Sequence, residues 1–134
     1  MPERPSPEEM LEAILASDRR YPRDAYLFVS EALGYTVRRL GREGHVSAWE
    51  LCEGLAELAL RQFGPLARSV LASWNIRTSD DIGEIVFNMV DVGLLRKTDE
   101  DRREDFHDAL DFEEALDRGF HMHLASEDDD EDTG

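Results

Sequence analysis

Cysteine and long hydrophobic runs are nearly absent from this sequence. The chain of 134 residues contains one cysteine, Cys52, which excludes an intramolecular disulfide framework. No apolar run approaches the roughly 20 residues that a helix needs to span a bilayer, so we expect no membrane association. The polar, acidic start over residues 1–10 lacks the basic and apolar parts of a secretory signal, which predicts a cytoplasmic protein.

Motifs that are typical of catalysis or cofactor binding are also lacking. The stretch GREG has two glycines, but neither the preceding strand nor the Lys-Ser/Thr ending of a phosphate-binding loop. Cys52 lies in an apolar helical pattern, where a small buried hydrophobe is more common than a nucleophile. We therefore predict that the protein is not an enzyme and has no cofactor and no metal site. His121 and His123 alternate as a metal-binding pair on a strand would, without a further ligand at a fixed spacing, and their role is left open.

Basic residues are scarce at one end of the chain. The net charge is −16, yet residues 1–98 are close to balance, with 15 acidic and 12 basic residues. Residues 99–134 hold 16 acidic and 3 basic residues. Residues 125–134 contain six acids and no apolar side chain larger than alanine, which predicts a disordered acidic tail. The simplest role of such a tail is solubilising; mimicry of nucleic-acid charge and docking of a basic partner are the alternatives.

The apolar residues that are present follow helical spacing. Ser6 with Glu9, and Ser47 with Glu50, have the spacing of capping boxes at the start of two helices. Gly34 lies inside the long apolar stripe of the second helix and indicates close helix packing at that point. The predicted helices span about residues 7–18, 22–41, 47–64, 65–75, 79–92 and 111–117.

Two short strands are predicted after the fifth helix. Leu94 and Leu95 return to the core, a charged turn follows, and Phe106 returns again, which suggests antiparallel strands at about 94–97 and 103–107. Helix-turn-helix followed by a hairpin is the order of a winged-helix domain, here over about residues 65–106. The predicted fold class is therefore mainly α, with five to six helices, a winged-helix-like helix-turn-helix and a short C-terminal β-hairpin, in a single domain over residues 1–124.

The helix at the recognition position, 79–92, contains no basic residue. Phosphate neutralisation supplies most non-specific DNA affinity, and acids on this helix would repel the backbone instead. We therefore do not expect DNA to bind through it. Its apolar residues are predicted to face the core and its acids to face solvent: inward Ile82, Ile85, Val86 and Met89, and outward Asp80, Asp81, Glu84 and Asp91.

Arginines cluster at the end of the second helix. Arg38, Arg39 and Arg42, with His45 nearby, form the candidate partner-binding site. A second group of arginines lies between the first two helices, at positions 19, 20 and 23. Cations near a helix C-terminus are often explained by the helix dipole alone. The alternative is a shared basic face for an acidic partner, a phosphate or the protein's own tail.

Four blocks of the chain, taken together, resemble a small uncharacterised bacterial family of the planctomycete and verrucomicrobial type. The blocks begin RRYPRDAY, HVSAWELC, FGPLARSV and DALDFEEA, and they occupy residues 19–41, 45–55, 63–95 and 108–117. The resemblance covers about residues 17–117. It implies a bacterial, cytoplasmic, single-domain protein, and it carries over no catalytic or binding residue.

Two functions are predicted from these observations. The first is a non-catalytic adaptor that binds another protein or forms a homodimer. The second is a nucleic-acid-linked regulator that uses the arginine clusters rather than the acidic recognition helix. The partner, the pathway and the oligomeric state do not follow from the sequence.

Overall fold

The chain folds mainly into helices. The computed structural model describes residues 5–41, 46–96 and 102–118. The helices are α1 (Pro7–Ser17), α2 (Arg23–Leu40), α3 (Ala48–Phe63), α4 (Ala67–Ser73) and α5 (Ser79–Asp91), with 3₁₀ turns at Gly64–Leu66 and Arg103–Phe106 and a π-helical turn at Glu113–Arg118. The predicted mainly helical class is confirmed. Within the three described ranges, no helix combines the length and apolarity needed to cross a membrane.

Capping residues set the boundaries of the first three helices, as predicted. The Ser6 hydroxyl accepts a hydrogen bond from the Glu9 N–H at 3.1 Å. Ser47 and Glu50 form both hydrogen bonds of a capping box, at 3.0 and 3.1 Å. Gly41 ends α2 with φ = 66°, a left-handed conformation that glycine adopts without the steric cost of a Cβ. These local signals lie in the sequence itself, which is why the boundaries could be predicted.

The central helix is α3, whose buried residues spread around much of its circumference. Cys52, Leu55 and Ala59 are fully buried, and α2 packs along the helix. The two helices approach closely at Gly54, where a Cβ would overlap the Thr36 hydroxyl. Gly34 does not mark this approach, contrary to the prediction, since a Cβ there would meet only the flexible end of an arginine side chain at 3.3 Å.

Helix α5 is enclosed on several sides. It packs against α1, α2, α3 and the turn Arg103–Phe106. Ile82, Ile85 and Met89 are buried, as predicted, whereas Val86 is only half-buried. On the side of the turn, Phe106 lies flat on Gly83, where a Cβ would come within 2.8 Å of the phenylalanine. The chain's own C-terminal segment therefore covers one face of α5.

The predicted β-hairpin is wrong, because the described residues on both sides of the charged turn are not strands. The N–H groups of Leu94 and Leu95 return to the Met89 carbonyl at 2.8 and 3.3 Å, so these residues extend the end of α5. Arg103–Phe106 forms a 3₁₀ turn instead of a strand, and the Phe106 carbonyl accepts a hydrogen bond from the Ser79 hydroxyl. The backbone groups of these residues form their hydrogen bonds without any pairing of β-strands. Residues 97–101 lie outside the described ranges.

The remaining predictions concern residues 65–75 and the C-terminal part of the chain. The predicted fourth helix is a 3₁₀ turn followed by the short helix α4, and it leaves Leu66 exposed rather than buried. The Asp111 carboxylate accepts a hydrogen bond from the Glu114 N–H at 3.3 Å, as a cap would. Phe112 and Leu116 are buried and close the core beside α3 and α4. The predicted tail, residues 125–134, lies outside the described residues, and the domain over residues 1–124 stays a prediction.

Candidate functional site

The predicted arginine site lies at the C-terminal end of α2, and half of it is described. Arg42 and His45 lie outside the described ranges. The Arg39 guanidinium donates to Glu57 at 2.7 Å and lies 3.6 Å from Glu53, so two carboxylates of α3 offset its charge. Arg38 is exposed. In the described part of this site Arg39 is paired within the fold and Arg38 is exposed, so the partner-binding site stays a prediction.

The second arginine group is paired even more extensively. Arg20 binds Asp18 at 2.7 Å and Glu84 at 3.1 Å, which joins the α1–α2 connection to α5. The hydrogen bonds from Arg20 hold the pKa of Asp18 well below its usual range, and Asn88 donates to the same carboxylate at 3.0 Å. Arg23 is likewise bound by two carboxylates of α1. Of this group, Arg19 is exposed.

Asp80 and Asp91 of α5 are exposed, as predicted, but Asp81 and Glu84 are half-buried and bound within the fold. Asp81 accepts three hydrogen bonds, from the Tyr21 hydroxyl at 2.6 Å and from the N–H groups of Arg77 and Thr78 at 2.8 and 3.1 Å. Burial of the Tyr21 ring and its bond to Asp81 raise the pKa of the phenol, so it stays protonated and keeps donating. Asp81 thus fixes the start of α5 to the segment before α2.

Glu84 and Asp80 bind the turn Arg103–Phe106 and the residue after it. Glu84 lies 3.2 Å from Arg103, in addition to its contact with Arg20. Asp80 lies 3.1 Å from Nδ1 of His107, and this hydrogen bond raises the pKa of the imidazole. Among the acids of α5, Asp91 is the most exposed. The strip that a recognition helix would present to DNA is thus occupied by internal contacts.

An open groove with a volume of about 400 Å³ lies between α5 and the turn that covers it. The imidazole of His107 with Asp80 is an acid–base pair, and it lies at the surface of this groove. The lining side chains include no hydroxyl or thiol nucleophile for it to activate. The groove is lined by Asp80, Gly83, Glu84, Arg103, Glu104 and His107.

The remaining candidates for chemistry are Cys52 and a metal site. Burial raises the pKa of the Cys52 thiol to about 12, so the reactive thiolate is scarce at neutral pH. In the part of the chain that the structure describes, no group of three or more His, Cys, Asp or Glu residues is arranged to hold a metal ion. His121 and His123 lie outside that part.

Among the residues that the structure describes, three large apolar side chains are exposed, and the sequence patterns do not single them out. Leu27, Trp49 and Leu66 expose 52%, 60% and 62% of their surface. Trp49 and Leu66 were assigned to apolar helix faces. Leu27 carries a signal that could have found it, because it is out of phase with the buried stripe of α2 and still apolar. Leu27 and Leu66 lie at the same end of the α2–α3 pair, where Phe28 and Phe63 stack with ring centroids 5.5 Å apart.

Comparison with known proteins adds no family to this description. The chain matches no protein-family model, no curated protein and no solved structure. The resemblance to a bacterial family therefore stays a prediction. Any functional inference depends on the residues of this chain alone.

Proposed function

We propose that this chain is a non-catalytic module that binds another protein. The observation that carries the proposal is the exposure of Leu27 and Leu66 at one end of the α2–α3 pair, in a chain that buries most of its large apolar residues. Fully burying an exposed leucine side chain contributes about 1.5–3 kcal/mol. Leu27 and Leu66 expose 52% and 62% of their surface, so a partner that covers both gains roughly half of that value from each. The partner is another protein or a second copy of this chain.

The helix-turn-helix order of α4 and α5 supports a winged-helix-like scaffold in this proposal, but not one that reads DNA. A recognition helix needs an exposed face that enters the major groove. Helix α5 is enclosed by α1, α2, α3 and the turn Arg103–Phe106, and its most exposed acid is Asp91. Phosphates that approached the exposed side of α5 would meet the carboxylates of Asp80 and Asp91.

The paired arginines weigh against the nucleic-acid alternative. Arg20 and Arg39 each bind two carboxylates within the fold. A phosphate would have to displace these carboxylates before it could bind either guanidinium. The alternative therefore has less support than protein binding.

A non-catalytic role is supported by the state of the candidate chemical groups. The buried Cys52 keeps its proton at neutral pH, because its pKa is about 12. The surface pair His107 and Asp80 has no nucleophile beside it in the groove that it lines. An acid–base pair without a nucleophilic side chain beside it is not sufficient for covalent catalysis.

Affinity capture from a native lysate, with and without nuclease, tests the proposal. The expected result is a protein that the tagged chain retains in near-equal amount in both samples. Loss of every retained protein after nuclease treatment would support the nucleic-acid alternative instead. A parallel anisotropy titration with duplex DNA is expected to show no salt-dependent complex of micromolar or tighter affinity.

A further inference from the structure

One face of α2 places an exposed leucine between charged residues. Arg23, Leu27 and Glu31 are spaced four residues apart, so they follow one another along the same side of the helix. Asp24 lies one turn before Leu27 and is exposed. Leu27 exposes 52% of its surface at the middle of this face. The leucine is thus accessible, and its nearest neighbours on the helix surface are charged.

The contacts of Arg23 and Glu31 show how far this face extends. Arg23 is held by α1, where it donates to Glu8 at 2.6 Å and also binds Glu12. Glu31 accepts a hydrogen bond from Gln62 of α3 at 2.6 Å. The face therefore extends from α1 across α2 to α3. Its charged groups are four carboxylates and one guanidinium, namely Glu8, Glu12, Asp24, Glu31 and Arg23.

Leu66 lies at the same end of the molecule. The Gln62–Glu31 hydrogen bond and the Phe28–Phe63 stack place the end of α3 beside the start of α2. Leu66 follows Phe63 by three residues and exposes 62% of its surface. Phe63 and Trp74 are half-buried in the same aromatic cluster, with ring centroids 5.9 Å apart. Two accessible leucines next to partly exposed rings form an apolar centre with an acidic margin.

We propose that this end of the molecule, defined by Leu27, Leu66, Asp24 and Glu31 and called here the leucine surface, binds a short amphipathic helix of another protein that carries lysine or arginine beside its apolar residues. The inference deepens the proposed protein-binding function and rests on it. The apolar side of such a helix would cover the two leucines, and its cations would meet the acidic margin. Helix-in-groove recognition uses the same combination of apolar anchors and charged flanks.

Charge complementarity selects this occupant over a second copy of the chain. The face of α2 around Leu27 carries four carboxylates and one guanidinium, so two copies that approach each other through it repel. In a symmetric dimer across the leucine surface, Asp24 and Glu31 would face the same acids of the partner or lie close to them. A basic helix has no such penalty. Electrostatic attraction would also speed its association at low ionic strength.

The probe for this surface is a fluorescein-labelled 18-residue peptide of leucine and lysine with helical spacing of the leucines. A peptide of identical composition with scrambled order is the first control, and a peptide with glutamate in place of lysine is the second. Binding is measured by fluorescence anisotropy at several salt concentrations. We expect the wild-type chain to bind the amphipathic basic peptide at least about tenfold more tightly than either control, which corresponds to about 1.4 kcal/mol.

Variants that keep the net charge test whether the leucines are responsible. The double variant Leu27→Gln with Leu66→Gln is expected to weaken peptide binding at least about tenfold, since anchor residues dominate such interfaces. Trp49→Gln is the matched control, because Trp49 is 60% exposed but lies at the other end of α3. That end is about 20 Å along the helix axis from Phe63. Trp49→Gln should change peptide binding by less than about twofold. Circular dichroism must show that all variants keep their helical content.

Three results would overturn the proposal. The first is equal binding of the peptide by the wild type and the double leucine variant, which would mean that the peptide binds through negative charge elsewhere on the chain. The second is the absence of peptide binding by the wild type. The third is a wild-type dimer in sedimentation that the double variant loses, which would assign the surface to a second copy. If the lysate partner is retained by the double variant, the protein-binding function stands and only the leucine surface is wrong.

Discussion

The side of the molecule around α5 differs from the leucine surface in whether its side chains have partners within the fold. Around α5, Asp81 has three hydrogen-bond donors, and Glu84 lies between two arginines. At the leucine surface, Leu27 and Leu66 keep more than half of their area in water. The carboxylates around α5 therefore have partners within the fold, whereas the two leucines stay largely in contact with water.

The difference shows that a charged residue in this sequence does not by itself indicate an open charged surface. Exposed ion pairs contribute little to stability, about 0–1 kcal/mol each, but they occupy the groups that a charged ligand would need. An exposed leucine has no such internal alternative, and only a further surface can remove it from water. The charged α5 side is therefore understood as structural, and the leucine surface as the candidate for binding.

The largest expected effect concerns the interior of α5. Ile85 is fully buried, so Ile85→Ala leaves a cavity and should lower the free energy of unfolding by about 2–4 kcal/mol. Urea denaturation followed by circular dichroism measures the loss. Asp91→Ala, on the same helix but 67% exposed, is the control and should cost less than about 0.5 kcal/mol. A loss below about 1 kcal/mol for Ile85→Ala would contradict the enclosed position of α5.

The next effect distinguishes Gly83 from Gly34, two of the glycines that lie within helices. Gly83→Ala would place a Cβ 2.8 Å from the Cβ and Cγ of Phe106, so the turn that covers α5 must shift. We expect the free energy of unfolding to fall by about 1–3 kcal/mol. Gly34→Ala meets only the flexible end of Arg38 and should raise the stability by up to about 1 kcal/mol through helix propensity.

The same denaturation series decides between these outcomes. Equal stabilisation by alanine at both positions would show that Phe106 does not rest on α5 in solution. The covered face of α5 would then be available to a ligand, and the contrast between the two regions would disappear.

The helices of this fold could be predicted because their signals are local. The capping hydrogen bonds of Ser6, Ser47 and Gly41 join residues that are at most four positions apart. The buried positions of α5 repeat at three-four spacing. The hairpin could not be judged in the same way. Phe106 would reach the core in either a strand or a 3₁₀ turn, so its apolar character does not distinguish the two. The hydrogen bond from Ser79, 27 residues earlier, decides between them.

The candidate site was less accessible to sequence reasoning than the fold. The sequence does not show which carboxylates bind the arginines, because partners such as Arg20 and Glu84 are 64 residues apart in the chain. The close contact of α2 with α3 lies at Gly54 and does not involve Gly34, because it depends on which face meets Thr36. The exposed leucines were missed since an apolar residue in a helix is ordinarily assigned to the core.

A smaller effect is expected for the hydrogen bond that joins Tyr21 to Asp81. Tyr21→Phe removes one of three donors to the carboxylate and leaves the two backbone N–H groups in place. The free energy of unfolding should fall by about 1 kcal/mol, the net value of one such bond. Tyr35→Phe is a matched control, because the Tyr35 hydroxyl bonds to Glu57 at a more exposed position. A larger loss for Tyr35→Phe than for Tyr21→Phe would contradict the structural role assigned to the α5 side.

The smallest expected effect is the pH dependence of the contact between His107 and Asp80. The hydrogen bond to Asp80 and the charge of Asp108 raise the pKa of His107 in the folded chain above its ordinary value of 6.5. A raised pKa means that the contribution of the protonated imidazole is fully present below pH 6.5 and is lost as the pH rises through the folded value. Arg103 and Glu104 line the same groove as His107.

Nuclear magnetic resonance titration of the histidine ring protons measures this directly, and the resonance that disappears in His107→Gln identifies the residue. We expect the pKa of His107 to lie above 6.5 in the wild type and to fall in Asp80→Asn. His107→Gln should lower the melting temperature slightly at pH 5.5 and leave it unchanged at pH 9, with the difference screened at high salt because the imidazole is 69% exposed. A pKa that does not respond to Asp80→Asn would remove this contact from the set that holds residues 102–118 against α5. It would leave Phe106, Ser79 and Arg103 as the groups that keep that face closed.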